Sequence, residues 1–190
     1  MKKNILAITA CLKRCSVAFW YEENLYEANE YIDAAANLVC ITQQVAATHN
    51  INFQKIDGII TASGPGSFTG IRVAQSFAKG LALSLRLPSA SVSYFDVIHK
   101  IYAPQNEEAS NIVILIESEK GHAYYKIGDE LGVSTCELLK NKIPAGATLI
   151  GDACEDFPQI IPAVDFRKAK HLLHFSDLIT DTSKIVPLYK

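Results

Sequence analysis

The sequence predicts an α/β protein with partly parallel sheets, arranged as two lobes of unequal size. Three observations predict it. Strand-length and helix-length apolar runs alternate after residue 31, a meander of short runs precedes them, and the second half repeats the theme in weaker form. Residues 4–10 (NILAITA) and 15–21 (CSVAFWY) are rich in aliphatic and aromatic residues and are separated by Cys11-Leu12-Lys13-Arg14. With a third short run around Leu25-Tyr26-Glu27-Ala28 they read as an antiparallel opening meander. Residues 31–48 are a helix candidate, 57–62 a buried strand, 70–87 a second helix stopped before Pro88, and 89–93 a further strand. Residues 103–110 (APQNEEAS) are polar and contain Pro104, which places a boundary between a lobe of residues 1–102 and a smaller one of residues 103–190. There NIVILIE and GHAYYKIG repeat the strand hairpin, ATLIGDA follows, and a helix runs from about Phe166 to Thr180 with Asp165 as its N-cap.

With 190 residues, 49% of them hydrophobic and 20% charged, the chain buries a sizeable core without staples. The net charge of -2 divides into nine basic against seven acidic residues up to Lys100, then nine against thirteen. Neither half is a basic nucleic-acid module, so any RNA contact is local or lent by a partner. Five scattered cysteines without CxxC spacing point to free thiols in a reducing compartment, hence to the cytoplasm. The start MKKNILAITAC carries a lipoprotein-like box, but its apolar core is shorter than the roughly 7–15 residues of an export signal and a strand-like run follows at once. No run approaches the roughly 20 apolar residues of a membrane span.

The stretch SGPGSFTG, residues 63–70, joins a strand to a helix. Gly64 precedes Pro65 and is expected to be extended, Gly66 is free to take positive φ, and Ser67 or Thr69 can cap the helix. Gly64, Gly66, Ser67 and Thr69 are therefore candidate contacts for a nucleotide phosphate at a helix start. The known fingerprints do not fit: Thr69 and Gly70 stand where a P-loop has Gly and Lys, and the third glycine of GxGxxG arrives one residue late. Arg72 in the first turn opposes the helix dipole, so it either meets an anion or lies solvated on the polar stripe.

On a helical wheel, Arg72, Gln75, Lys79 and Arg86 form one narrow stripe and apolar residues cover most of the remainder. Residues 31–48 behave alike, with Asp33, Asn37, Gln44 and Thr48 on one stripe. A helix covering one sheet face needs an apolar stripe little wider than about 100°. Either both helices are sandwiched within one lobe, or they offer ridges to a second chain through Ile32, Ala35, Leu38, Val39, Ala74, Ala78, Leu81 and Leu83.

NILAITACLKRCSVAFW followed by DGIITASGPGSFTGIRVAQSFAKGLALSLRLPSASVSYFDVI resembles the TsaB/YeaZ family of bacterial tRNA threonylcarbamoyladenosine biosynthesis proteins. GPGSFTGIR, AKGLAL and the strand entry from Pro88 to Ser93 fall in the family's order; IVILIESEKGHAYY and Val186-Pro187-Leu188-Tyr189 extend a weaker match into a shortened second half. The resemblance implies an actin/Hsp70/sugar-kinase-like fold of two ribonuclease-H-like lobes, the C-terminal one reduced. It implies a scaffold without chemistry or cofactor of its own, which dimerises with the paralogue TsaD through the two N-lobe helices and works with the ATPase TsaE. That complex installs threonylcarbamoyl on adenosine 37 of tRNAs reading ANN codons. It further implies a homodimer as the arrangement of the chain alone, ATP at the partner interface, tRNA contact only through the complex, and no membrane. The chain departs from the family pattern at Thr9-Ala10-Cys11-Leu12, where an Asp-Thr-Ser-Thr run is usual, and around Tyr31-Ile32-Asp33, where His-Ser-Glu is usual.

Two enzymatic alternatives stand beside this reading. A phosphotransferase of the sugar-kinase type needs a carboxylate near the first hairpin, and residues 9–14 supply none. A metallopeptidase-like enzyme needs about three zinc ligands and a general base, whereas the only close histidine pair is His171-Leu172-Leu173-His174. Cys11 and Cys15 read as core residues, and Glu117 and Glu119 share one face of a strand, as solvated edge residues or a paired-carboxylate site.

Overall fold

The computed structural model describes residues 4–11, 14–30, 34–102, 111–118, 121–153, 155–163 and 165–179, leaving aside the side chains of residues 14, 30 and 34–36. It divides into two compact units: Met1–Tyr94 with Arg167–Lys190, and Phe95–Phe166.

The first unit holds a five-stranded sheet. Strands β1 (Ile5–Cys11), β2 (Arg14–Tyr21) and β3 (Asn24–Glu30) form the antiparallel meander, helix α1 (Ala34–Thr48) leads to β4 (Gly58–Gly64), and helix α2 (Phe68–Leu85) leads to β5 (Ser89–Ser93). The order is β3-β2-β1-β4-β5, with β4 parallel to β1 and β5 parallel to β4. Strands β1 and β4 are buried at every position, as central parallel strands covered on both faces require, which explains why their sequences read as unbroken apolar runs. On one face Leu6, Ile8, Val17, Phe19 and Ile59 pack with Leu38, Ile41 and Val45 of α1 and Ala74, Ala78 and Ala82 of α2.

The β2–β3 turn is made by Glu22 and Glu23 alone, both at positive φ (49° and 67°), the hairpin geometry that normally selects Asn-Gly. Lys55 pairs with Glu22 at 2.9 Å and the Glu22 amide donates to Asn4 Oδ1 at 2.9 Å, so the turn is held by side chains rather than by suitable turn residues. Glu23→Gly is expected to stabilise the chain by up to about 1 kcal/mol, a rise of roughly 2–4 °C in Tm that differential scanning calorimetry resolves.

The second unit repeats the topology of the first. Helix α3 (Tyr94–Tyr102) crosses into it, followed by β6 (Ile112–Glu117), β7 (His122–Ile127), β8 (Glu130–Thr135), helix α4 (Cys136–Lys142), β9 (Thr148–Gly151) and β10 (Ile161–Pro162). The order β10-β9-β6-β7-β8 is again a three-strand meander with two parallel strands beside its first member. The sequence echo is therefore a repeat of strand order and polarity. The unit is reduced at two places: α4 has 7 residues where α1 has 15, and the β9–β10 connection has no helix among its described residues where the first unit has α2. Lys142 ties α4 to the hairpin, donating to Tyr125 Oη at 2.8 Å and pairing with Glu130. The neighbouring carboxylate and phenol hold the Lys142 ammonium above its ordinary pKa, and the same contacts hold Glu130 below its own.

Three expectations need correction. Helices α3 and α4 are absent from the sequence reading, because segments of nine and seven residues carry too few turns for periodicity to show. The late helix is 3₁₀ rather than α over Ala169–Leu178, with a non-helical residue at Phe175, and Asp165 lies at φ 61° instead of capping it; residue 168 occupies the cap position. The division into 1–102 and 103–190 differs from the structural one, because this segment returns to the first unit and covers the second face of its sheet. Ala169 N–H donates to buried Ser16 Oγ at 2.8 Å, and Ile179 packs so closely that a Cβ on Gly58 would lie 2.4 Å from its Cγ2. Without that cover Ile5, Ala7 and Ala18, all 1% exposed or less, would face water.

Candidate partner interface and glycine turn

The glycine turn is built by close packing. Gly64 ends β4 at φ 108°, not in the extended form expected before proline, and Gly66 follows at φ 150°. The left-handed backbone lets the chain reverse directly from strand into α2, a conformation that favours glycine. Ser67 is the N-cap: its Oγ accepts from Gly70 N–H at 3.3 Å and its carbonyl from Ile71 N–H at 2.9 Å. Thr69 is exposed in the first turn. The four predicted contacts thus share one turn, with the serine hydroxyl engaged as a cap. The residue missed is Gly70, where a Cβ would lie 2.2 Å from the Ala10 carbonyl oxygen. Its lateness in the fingerprint is the signal: it sets how closely α2 rests on β1, as the third glycine of dinucleotide folds does.

Arg72 is exposed, with its guanidinium over the ring of the equally exposed Phe68, 3.8 Å from the centroid. Beneath the turn, Thr9 and Tyr94 hydroxyls are hydrogen-bonded to each other, Gln75 Nε2 donates to Ala62 O at 3.3 Å, and buried Thr61 Oγ1 finds no partner among the described residues. Residues 5–21 contain no carboxylate, so the first hairpin offers nothing to orient a magnesium ion or activate a hydroxyl.

The helix wheels need partial correction. Leu38, Ala74 and Ala78 are buried at 1% exposure or less in the chain's own core, because the small alanines let α2 approach the sheet; they are not available to a partner. Leu81 is half-buried against the same core, whereas Val39 is 43% and Leu83 81% exposed. Ile32 and the side chain of Ala35 lie outside the described residues. The outward face of α2 carries Ser76, Lys79, Gly80 and Leu83, and a Cβ on Gly80 would meet nothing within 4 Å.

The remaining candidates do not converge. Cys11 and Cys15 are buried, and Cys136 is held up to about 11 by burial first and then by Asp156, so its thiol stays protonated. Glu117 is exposed, its N–H donating to Asp152 Oδ1 at 2.8 Å, while Glu119 lies outside the described residues. His171 and His174 stack with ring centroids 6.3 Å apart; among the described residues no three His, Cys, Asp or Glu side chains gather to hold a metal. No helix among these residues is long and apolar enough to cross a membrane.

Comparison with known proteins agrees with this architecture. The family model described as TsaD, tRNA N6-adenosine threonylcarbamoyltransferase, matches residues 33–132. The tRNA threonylcarbamoyladenosine biosynthesis protein TsaB of Buchnera aphidicola (Acyrthosiphon pisum) is 26% identical over 152 residues, covering 75% of this chain and 68% of the relative. TsaB of Escherichia coli K12 is 28% identical over 123 residues, covering 64% of this chain and 53% of the relative, so the match spans about half of that protein's length. The solved structure of YeaZ from Pseudomonas aeruginosa superposes with a TM-score of 0.76 at 21% identity, covering 100% of both chains, which shows a shared fold. With the sheet order found twice, that fold is the two-lobed actin/Hsp70/sugar-kinase-like class with a reduced second lobe. By its family match and by its relatives, the chain belongs to the TsaB/YeaZ branch of the TsaD family.

Proposed function

We propose that the chain is a non-catalytic scaffold subunit in the formation of N6-threonylcarbamoyladenosine at position 37 of tRNA. It pairs with TsaD through the outward faces of α1 and α2 and supports TsaE binding, in the cytoplasm, with no cofactor of its own and ATP left to the partner interface. Family membership and the relatives' names support a role in tRNA threonylcarbamoyladenosine biosynthesis.

The observation that carries the interface is Gly80. A mid-helix glycine costs about 0.5–1 kcal/mol relative to alanine, and no described residue requires it, since a Cβ there would meet nothing within 4 Å. Beside it Leu83 stands 81% exposed. A partner helix crossing closely at Gly80 and covering Leu83 accounts for both.

The test separates stability from pairing. Gly80→Ala is expected to stabilise the isolated chain by about 0.5–1 kcal/mol in urea denaturation, whereas Gly80→Leu leaves it folded but blocks co-purification with TsaD and TsaE, read with and without ATP. Full pairing by Gly80→Leu, or ATP hydrolysis by the chain alone, would sink the reading.

A further inference from the structure

Gly80 and Leu83 share the outward side of α2 with Lys79, and that lysine restricts which partner can sit there. At about 100° per residue, Lys79 and Leu83 stand one turn apart along the helix and about 40° apart around it, with Gly80 about 60° beyond Leu83. A helix seated on Leu83 and crossing closely at Gly80 therefore has Lys79 at its edge. Lys79 is exposed and joins no ion pair among the described residues; those made by Lys55, Lys126, Lys142 and Lys170 lie elsewhere.

Neither interface helix offers a counter-charge. Ala34–Thr48 and Phe68–Leu85 contain no Asp or Glu, and their only other charged residue is Arg72, two turns before Lys79 on the same stripe. In a chain of net charge -2, this face is positive without any negative charge of its own. A second copy of the chain fits it badly. In a two-fold pair with α2 against α2, each Lys79 meets the other Lys79 when the helices run antiparallel and the other Gly80 when they run parallel. In neither sense do the four helices bring it a carboxylate, and like charges set opposite one another across a contact oppose pairing.

We infer that Lys79 selects the partner by charge: the face seats a helix that carries a carboxylate against Lys79, and it turns away a second copy of this chain. The apolar contact at Leu83 and the close crossing at Gly80 would serve any helix of suitable shape, so they hold a partner without choosing it. The lysine beside them makes the choice, because it is stabilised only where the facing helix is acidic. The inference rests on the interface reading above, and it makes the chain alone a monomer where the family resemblance implies a homodimer.

The test follows the full chain, alone and with TsaD, across a salt series. Alone, wild type is expected to sediment as a monomer at low salt and to self-associate more as salt screens the repulsion; Lys79→Gln, which removes the charge, should self-associate more than wild type at the same salt and concentration. Affinity for TsaD should move the other way. It should fall as salt rises, and fall about tenfold or more in Lys79→Glu, less in Lys79→Gln, with Tm unchanged in both. A wild-type dimer at low salt, self-association that neither salt nor Lys79→Gln moves, or equal TsaD affinity in wild type and Lys79→Glu would each overturn the inference. If wild type captures no TsaD while its self-association responds to salt and to Lys79→Gln as expected, the scaffold reading fails and charge selection at this face stands.

Discussion

Ala78→Arg is expected to unfold the first unit, while Leu83→Glu, five residues along the same helix, leaves it folded and abolishes partner capture. Ala78 is fully buried against the sheet between Ala74 and Ala82, among apolar side chains of the core. An uncompensated buried charge costs about 3–5 kcal/mol, comparable with the whole stability of a marginal domain at roughly 5–15 kcal/mol. Leu83 is 81% exposed, so a carboxylate there meets water and Tm should stay within about 2 °C of wild type. In the complex that carboxylate would be desolvated without a partner, and loss of a central apolar anchor is worth about 2 kcal/mol or more, roughly thirtyfold in affinity. Thermal melts beside co-purification with TsaD decide both halves; a folded, pairing-competent Leu83→Glu would place the interface elsewhere.

Gly70→Ala should be nearly as damaging as Ala78→Arg, although it adds one methyl group. The obstacle is the backbone of β1: the new Cβ would sit 2.2 Å from the Ala10 carbonyl oxygen and 3.0 Å from its carbon. No rotamer relieves that contact, so α2 must lift from the sheet, opening the Ala74, Ala78 and Ala82 contacts behind it. We expect a loss of about 3 kcal/mol in urea denaturation, at the upper end for overpacking. Gly146→Ala is the control: that glycine, unlike Gly70, has positive φ (76°), but a Cβ there meets nothing within 4 Å, so its cost should be limited to backbone strain of about 1 kcal/mol. Equal losses at the two sites would refute the close-packing account.

How much of this was legible follows from what each residue can report locally. Strands β1 and β4 were, because strands buried on both faces need unbroken apolar runs, and NILAITA and IDGIITA show them directly. The glycine turn was legible as a strand-to-helix reversal but not in its purpose. That depends on a clash between Gly70 and Ala10, sixty positions apart. The helix faces were half legible. A wheel of α2 that is apolar nearly all round counts Ala78 and Leu83 alike, and only contact with the sheet separates the fully buried one from the exposed one. Helices α3 and α4 were not legible, since nine and seven residues leave periodicity too few points.

The sequence by itself determined the class of fold, the strand runs that nucleate both sheets, the echo between the two halves and the motif order that marks the family, because each is written in residues near one another along the chain. Only the tertiary structure decided which helix face remains for a partner, where the third glycine rests, and that residues 167–179 return to cover the first sheet. Those depend on distant segments competing for the same buried surface, and a side chain's sequence neighbours do not reveal which competitor wins.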